Sequence, residues 1–386
     1  MAGVMPLLTV NAGSSSTKVS VLGDDDAVLS HLDLPHPSDP EVPRAIGELI
    51  EEFNPAASVH RIVHGGPRLH GAVIVDASVE SEIAALGDLA PLHNPPGLAL
   101  LDHVRRQSPL LPAVACFDTA YFGALPEEAS TYAVPLEWRQ RFGIRRYGFH
   151  GLSHESAARR MSDLIGRRPE PLRVVSAHLG SGCSLAAIDG GRPVDTTMGF
   201  TPLEGLVMAT RSGTVDPGAL TTVMRLGALT AEELDDALET QSGLLALAGS
   251  GDLALVLQRS LQGDKEAELA ISVYVHRLVG GIAAMAAAIG GFDALLFTGG
   301  AGEGSAPLRA ATCERLGWLG VRLDPTRNEK GSGDRLITGC LLYTSRSADA
   351  PPIGEPPHPA RVSTRGLSRR FRDRGESNGL RWHPDG

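Results

Sequence analysis

The sequence predicts an α/β protein of two halves, each with mixed sheets flanked by helices. Three observations carry this. Short apolar runs of strand length alternate with longer helical segments along most of the 386 residues, the pattern of layered sheets and helices. One local pattern occurs twice: an apolar strand, a tight turn of glycines and small hydroxyls, then a second strand. The first copy is 7–10, Asn11 to Lys18 and 19–22; the second is 174–177, His178 to Ser184 and 185–188. Finally, Gly, Pro and charge cluster between Gly166 and Pro171. A boundary there gives domains 1–168 and 169–338, each opening on a copy of the hairpin.

The strand runs in order are 7–10, 19–22, 61–63, 73–75, 114–117, 174–177, 185–188 and 294–298, and helical stretches cover 40–53, 97–107, 231–239 and 266–289. The most apolar segment, 270–291, contains His276 and Arg277 and many small residues, so it reads as a buried helix rather than a membrane span. After Ile337 the periodicity stops. Pro, Arg, Ser and Gly dominate 339–386, with arginines at 361, 365, 369, 370, 372 and 374. Such a segment buries too little apolar surface to offset its ordering entropy, so a disordered tail is expected.

Composition narrows the function classes. Hydrophobic residues at 42% and charged residues at 21% are those of a soluble globular protein. A net charge of −10 argues against nucleic-acid binding, which needs a basic face, while leaving a nucleotide ligand open. Cys116, Cys183, Cys313 and Cys340 are scattered without a CxxC pair or a His at metal spacing, and read as reduced cytosolic thiols. No basic segment precedes the first strand, so no signal peptide is expected.

The polar motifs suggest anion chemistry. Glycines let backbone N–H groups approach a phosphate, and Ser or Thr hydroxyls add donors. In the first turn Lys18 adds a cation and Asn11 could hold a metal-bound water, although a polar hairpin turn is the plain structural reading. The spacing is not a Walker A loop. The run Gly299-Gly300-Ala301-Gly302-Glu303-Gly304 follows a strand and precedes a helix; lacking GxGxxG spacing, it suits close backbone approach to an adenosine or a phosphate. Arg61, the pair Arg145–Arg146 and Arg211 all lie beside glycines, which favours anion recognition over solvated surface charge. Asp118 follows a strand, where a carboxylate faces a cleft or caps the next turn. His93, before Asn94-Pro95-Pro96, braces a rigid loop.

Taken together, the blocks 10–18, 60–66, 92–96, 117–120, 147–154, 178–182, 198–217 and 297–303 resemble those of acetate kinases, members of the superfamily of acetate and sugar kinases, heat-shock ATPases and actin. The stretch Met198-Gly199-Phe200-Thr201-Pro202-Leu203-Glu204-Gly205, followed by Thr210-Arg211-Ser212-Gly213, is the most specific. The resemblance implies a duplicated actin-like, ribonuclease H-like core. It also implies reversible transfer of the ATP γ-phosphoryl group to acetate, giving acetyl phosphate and ADP, with Mg²⁺ (or Mn²⁺) as cofactor. Carried over by position, Arg61 binds the substrate carboxylate, and Asp118, His150 and Arg211 are catalytic. Asn11 helps hold the metal. Lys18, His178, Leu179, Gly180, Ser181, Gly182, Asp252, Leu253, Ala254, Gly300, Ala301, Gly302, Glu303 and Gly304 contact ATP. Val63, Leu92, Phe149 and Pro202 shape the acid pocket. A cytoplasmic homodimer is implied, with no nucleic-acid or membrane partner. A propionate or butyrate kinase is the alternative within the class, and an impaired nucleotide-binding relative the alternative outside it. Three departures stand out. Ala254 lies where the family has an Arg, Gly304 where it often has Asn, and nothing after Ile337 resembles the family's last strand and its metal-binding Glu. That end resembles a frame change or chimera, and its loss should leave a strand edge unpaired.

Overall fold

A computed structural model describes residues 5–13, 16–24, 27–90, 93–165, 172–331 and 333–338. Ser14 and Ser15 of the first turn, Leu92, the 166–171 boundary and the 339–386 tail lie outside the described residues.

Ten strands form two sheets among the described residues: β1 (Leu7–Ala12), β2 (Thr17–Leu22), β3 (Val28–Leu34), β4 (Ala57–Ile62), β5 (Val73–Ile74), β6 (Ala113–Phe117), β7 (Arg173–Leu179), β8 (Cys183–Asp189), β9 (Arg192–Thr196) and β10 (Ala294–Thr298). The first sheet has the order β3-β2-β1-β4-β6-β5 and the second β10-β7-β8-β9. The internal duplication is visible in this order. β1 is antiparallel to β2 and parallel to β4; β7 is antiparallel to β8 and parallel to β10. A third antiparallel strand, β3 or β9, follows in each. The first sheet continues beyond β4 into β6 and β5, whereas β10 is an edge among the described residues. A cavity of about 700 Å³ opens beside it, lined among others by Leu296, Thr298, Leu323 and Ile337.

Several elements differ from the sequence reading, each for a local reason. β4 starts at Ala57, not at 61, because its buried face carries Ser58 and His60 before Ile62, so the hydrophobic alternation is hidden. Burial is tolerated there because His60 Nε2 and Ser58 Oγ lie 3.1 Å apart in a hydrogen bond. β3 and β9 are unmarked in the sequence: β3 is largely exposed and β9 opens with Arg-Pro, and their neighbours in the sheet impose their pairing. Helix Asn94–Gln107 begins three residues before the expected position, with prolines in its first turn, where a missing N–H costs nothing.

The 24-residue helix Lys265–Ala288 is the expected apolar one. By length and composition it could cross a membrane, as could Gly243–Leu261. Its residues Ala270, Tyr274, Leu278, Ile282 and Met285 recur every three or four positions and pack into the larger core, against Val175, Leu179 and Leu185 of the second sheet. Val63, Tyr147 and Phe149 from the first half join that same core. The parallel strands β1, β4, β6, β7 and β10 bring Asn11, Arg61, Asp118, His178 and Thr298 to their C-terminal ends, the usual location of a ligand crevice in such sheets.

Candidate active site

The centre of the site is an ion pair. Arg61 Nε donates to both oxygens of Asp118 at 3.0 and 3.1 Å, and Nη2 donates to Oδ2 at 2.5 Å. The remaining terminal nitrogen, Nη1, donates to Asn11 Oδ1 at 2.8 Å. Asp118 is 2% exposed while the Arg61 side chain keeps 24%, so the pair shows its positive end outward. Burial works against the guanidinium charge, yet Asp118, by charge and hydrogen bonding, more than offsets it and holds the pKa above the ordinary value. The Asp118 carboxylate does not cap the turn that follows; the side-chain hydrogen bonds it accepts come from Arg61. The Asp118 carbonyl also accepts from Gly151 N–H at 2.8 Å, an approach so close that a Cβ on residue 151 would collide with that oxygen.

This contact ties Asp118 to His150, the residue preceding helix Gly151–Leu164. His150 adopts φ +59°, a left-handed conformation unusual for a side chain with Cβ and of a kind found at functional sites. Its Nδ1 lies 2.9 Å from Ser184 Oγ, and its ring lies 4.4 Å, centroid to centroid, from that of His178. Burial, reinforced by His178, Arg61, His154 and Arg211, holds the His150 pKa well below its ordinary value, so the ring is neutral. His178 Nδ1 meets Ser153 Oγ at 2.8 Å and Thr298 Oγ1 at 3.2 Å.

Arg211 approaches from the second half. Its Nε lies 2.9 Å from Glu239 Oε2, Nη1 donates to the Pro202 carbonyl at 3.3 Å and Nη2 lies 3.3 Å from His93 Nε2. Burial drives the His93 pKa down to about 4, with Arg211 and Arg61 adding to the effect; the neutral ring can accept from Arg211. Burial also raises the Glu239 pKa, which Arg211 opposes. A Cβ at Gly182 would sit 3.3 Å from Arg211 Nη1 and 3.4 Å from His150 Nε2. The absence of a side chain at Gly182 therefore lets Arg211 and His150 both approach its backbone closely.

The residues expected to contact a nucleotide separate into groups. The turn His178–Gly182 is closed by Gly180 N–H donating to the Gly182 carbonyl at 3.0 Å, and Ala209 N–H donates to the Ser181 carbonyl at 3.0 Å. Leu179 is buried, with Gly299 against its carbonyl. Gly300, Ala301, Gly302, Glu303 and Gly304 form the short helix Gly299–Gly304 directly after β10, with no intervening loop. Glu303 folds back to accept from Gly299 N–H at 3.0 Å. Asp252 caps helix Leu253–Leu261 by accepting from Ala254 N–H at 2.9 Å. Lys18 is not gathered into the cluster: it is half-exposed on β2 and ion-paired to Asp33 of β3 at 2.5 Å. Arg146 is also occupied elsewhere, by Glu204 and the carbonyls of Thr197 and Met198.

The fold and this arrangement can be set beside known proteins. The family model described as the acetokinase family matches residues 46–342. The chain belongs to the acetokinase family. Acetate kinase of Trichormus variabilis is 47% identical over 276 residues, which is 71% of this chain and 68% of that protein. The acetate kinase of a Nostoc species is 48% identical over 271 residues, 70% of this chain and 67% of that one. Among solved structures, a propionate kinase from Francisella tularensis has TM-score 0.79 at 33% identity, covering 84% of this chain and 91% of its own. Porphyromonas gingivalis acetate kinase has TM-score 0.78 at 32% identity, covering 86% and 92%. These findings bear out the family and the α/β fold read from the sequence.

Acetokinases imply a nucleotide-bound Mg²⁺. Among the described residues no group of three or more His, Cys, Asp or Glu side chains could hold a metal. The donors beside Arg61 are the Asn11 amide oxygen and the Asp118 carboxylate, hard oxygens too few for a protein cage. That set fits an ion carried mainly by water and phosphate oxygens, the usual habit of Mg²⁺.

The sequence reading did not single out His154, Ser153, Ser184, Thr298 or Glu239. His154, inside the 147–154 block, could have been found: it stands four residues after His150, on the first turn of the helix that His150 precedes. Ser184 and Glu239 carry no such sequence signal.

Proposed function

We propose that the protein is an acetate kinase that moves the γ-phosphoryl group of ATP reversibly to acetate. The observation carrying this reading is the gathering of the Arg61–Asp118 pair, neutral His150 and Arg211 around the Gly182 turn, in a chain of the acetokinase family. A carboxylate acceptor is already ionised at neutral pH, so no general base is needed. The demand is to hold two anions together and to neutralise the charge spread over a loose phosphoryl transition state. Arg61, whose guanidinium stays partly exposed while Asp118 is buried, offers its outward edge to the acid. Arg211, oriented by Glu239 and the Pro202 carbonyl, meets the transferring group, and His150 offers Nε2 to it. Donors fixed in this way before reaction cost no reorganisation during it.

The turn 178–182 and helix Gly299–Gly304, whose Gly299 packs against the Leu179 backbone, serve the nucleotide, with Asp252 capping helix Leu253–Leu261. Mg²⁺, held by Asn11 and the phosphates, would supply additional charge neutralisation. The cytoplasm is the proposed location, and a homodimer the proposed state. Helix Pro217–Gly227 has no buried residue and exposes Val223 (46%) and Leu226 (77%), an apolar face suited to a second copy.

Hydroxylamine trapping of acyl phosphate from ATP, Mg²⁺ and acetate, with propionate and butyrate in parallel, tests the reading. Acetate is expected to give the strongest signal. The likeness to a propionate kinase structure favours propionate as the second choice, and one methylene changes affinity by only about 1–3 kcal/mol. No hydroxamate with any acid, from folded protein that binds ATP, refutes the activity.

A further inference from the structure

Behind His150 lies a buried chain of polar groups that the proposed chemistry does not use directly. His150 Nδ1 lies 2.9 Å from Ser184 Oγ; the same oxygen lies 2.8 Å from His154 Nε2; and His154 Nδ1 lies 2.9 Å from Ser176 Oγ. His154, Ser176 and Ser184 are all 0% exposed. We propose that Ser184 is a positioning residue which, through the chain Ser176–His154–Ser184–His150, locks His150 in the tautomer that carries its proton on Nε2, facing the transferring group. The inference rests on the reading of His150 as a donor in phosphoryl transfer.

The direction of the chain follows from counting protons. A neutral imidazole has one donor and one acceptor, and a hydroxyl has one proton to give. Ser184 Oγ touches two rings, so it donates to one and accepts from the other. In the first arrangement Ser176 O–H donates to His154 Nδ1, His154 Nε2–H donates to Ser184 Oγ, and Ser184 O–H donates to His150 Nδ1. His150 then holds its proton on Nε2. In the reverse arrangement every bond runs backward, His150 Nε2 carries a bare lone pair, and the Ser176 proton must find another acceptor. Among the described residues His154 is the only side-chain partner of that hydroxyl, and a buried donor left without an acceptor is penalised by roughly 1–3 kcal/mol. The first arrangement satisfies every fully buried proton and leaves only the Nε2–H of His150, a part-exposed side chain, to meet a ligand.

Two further features hold the chain in place. His154 sits on helix Gly151–Leu164 one turn beyond His150, and Ser176 and Ser184 lie on the paired strands β7 and β8, so all four groups belong to packed elements. Burial pushes the His154 pKa down to about 3, helped by His178. The charged groups facing His150, namely Arg61 and Arg211, likewise disfavour a second proton on it. The rings stay neutral, and the count above applies at neutral pH. An Nε2–H aimed at developing negative charge is then present before substrate arrives. The opposite tautomer would present a lone pair to a phosphoryl group.

The test is ¹⁵N NMR of protein labelled at histidine, whose ring nitrogens report which one carries the proton; the His150 signal is identified by its absence in His150→Gln. Wild-type protein is expected to show His150 protonated on Nε2. Ser184→Ala should convert that signal to a mixture of tautomers. It should also lower kcat by about 10²-fold or more, as mis-set tautomers and lost donors do, with KM for acetate and ATP little changed. Ser176→Ala, farther from the site, should mix the tautomers in the same way and serves if Ser184→Ala does not fold. A wild-type signal with the proton on Nδ1, or an unchanged Nε2 signal in a folded serine variant, overturns the proposal. Failure of the underlying reading is seen separately, as normal turnover in His150→Gln.

Discussion

Removing Arg61 should destabilise the protein chiefly by stranding Asp118. The carboxylate is 2% exposed and takes three hydrogen bonds from one guanidinium. Deleting one member of a buried pair leaves an uncompensated charge, at a cost of about 3–5 kcal/mol. Because the Arg61 side chain keeps 24% of its exposure, water screens part of the interaction, and a loss near the lower end, about 3 kcal/mol, is expected for Arg61→Ala. Removing both charges should hurt less than the sum of the two single changes. Arg61→Ala, Asp118→Ala and the double variant, compared by urea unfolding at pH 7.5, form a double-mutant cycle. The expected coupling is about 2 kcal/mol or more, the upper part of the range for groups in one network. Coupling below about 0.5 kcal/mol, the additivity found for independent sites, would show that Asp118 does not depend on Arg61 for its burial and would refute the account of the site's centre.

Arg211→Ala is expected to lower kcat by about 10³-fold or more, by analogy with other arginines that meet a transferring phosphoryl group, while KM for ATP changes little; hydroxamate trapping measures both, and turnover within tenfold of wild type would remove Arg211 from the chemistry. Gly182→Ala places a methyl 3.3–3.4 Å from Arg211 and His150, so turnover should fall while the unfolding midpoint moves little. Gly151→Ala drives Cβ into the Asp118 carbonyl and should destabilise the fold by about 1–3 kcal/mol, the usual range for overpacking, as a thermal melt would show. Stability should also decline on mild acidification. His60 and His64 have pKa values lowered to about 4 and His154 to about 3, all by burial. The unfolded chain therefore binds protons that the folded one refuses, and stability present above about pH 6.5 is lost toward pH 4. Three such groups contribute up to about 4 kcal/mol per pH unit in that window, and urea midpoints at pH 7.5 and 5.5 check the direction.

Much of the molecule was legible in the chain itself. The repeated strand–turn–strand pattern announced a duplicated sheet because glycine turns and alternating apolar residues act locally, within a few residues. The long apolar helix was readable for the same reason, its buried face recurring every three or four positions. Arg61, Asp118, His150 and Arg211 were found through their setting in glycine-rich blocks and their likeness to a family. Other features depended on contacts between distant segments. β4 conceals its buried face behind Ser58 and His60, and β3 and β9 are strands because a neighbouring strand pairs with them. Lys18, which the first turn appeared to offer to a phosphate, was claimed instead by Asp33 on the adjoining strand. Glu239 reached Arg211, and Ser184 reached His150 and His154, only once helices and strands far apart in sequence had packed together. Local periodicity and turn chemistry thus determined most of the elements, and the family likeness pointed to the candidate side chains. Which acceptor each donor meets, and so which charge is spent within the protein and which remains for a ligand, was decided by tertiary packing, because a hydrogen bond is set by distance in space rather than by order along the chain.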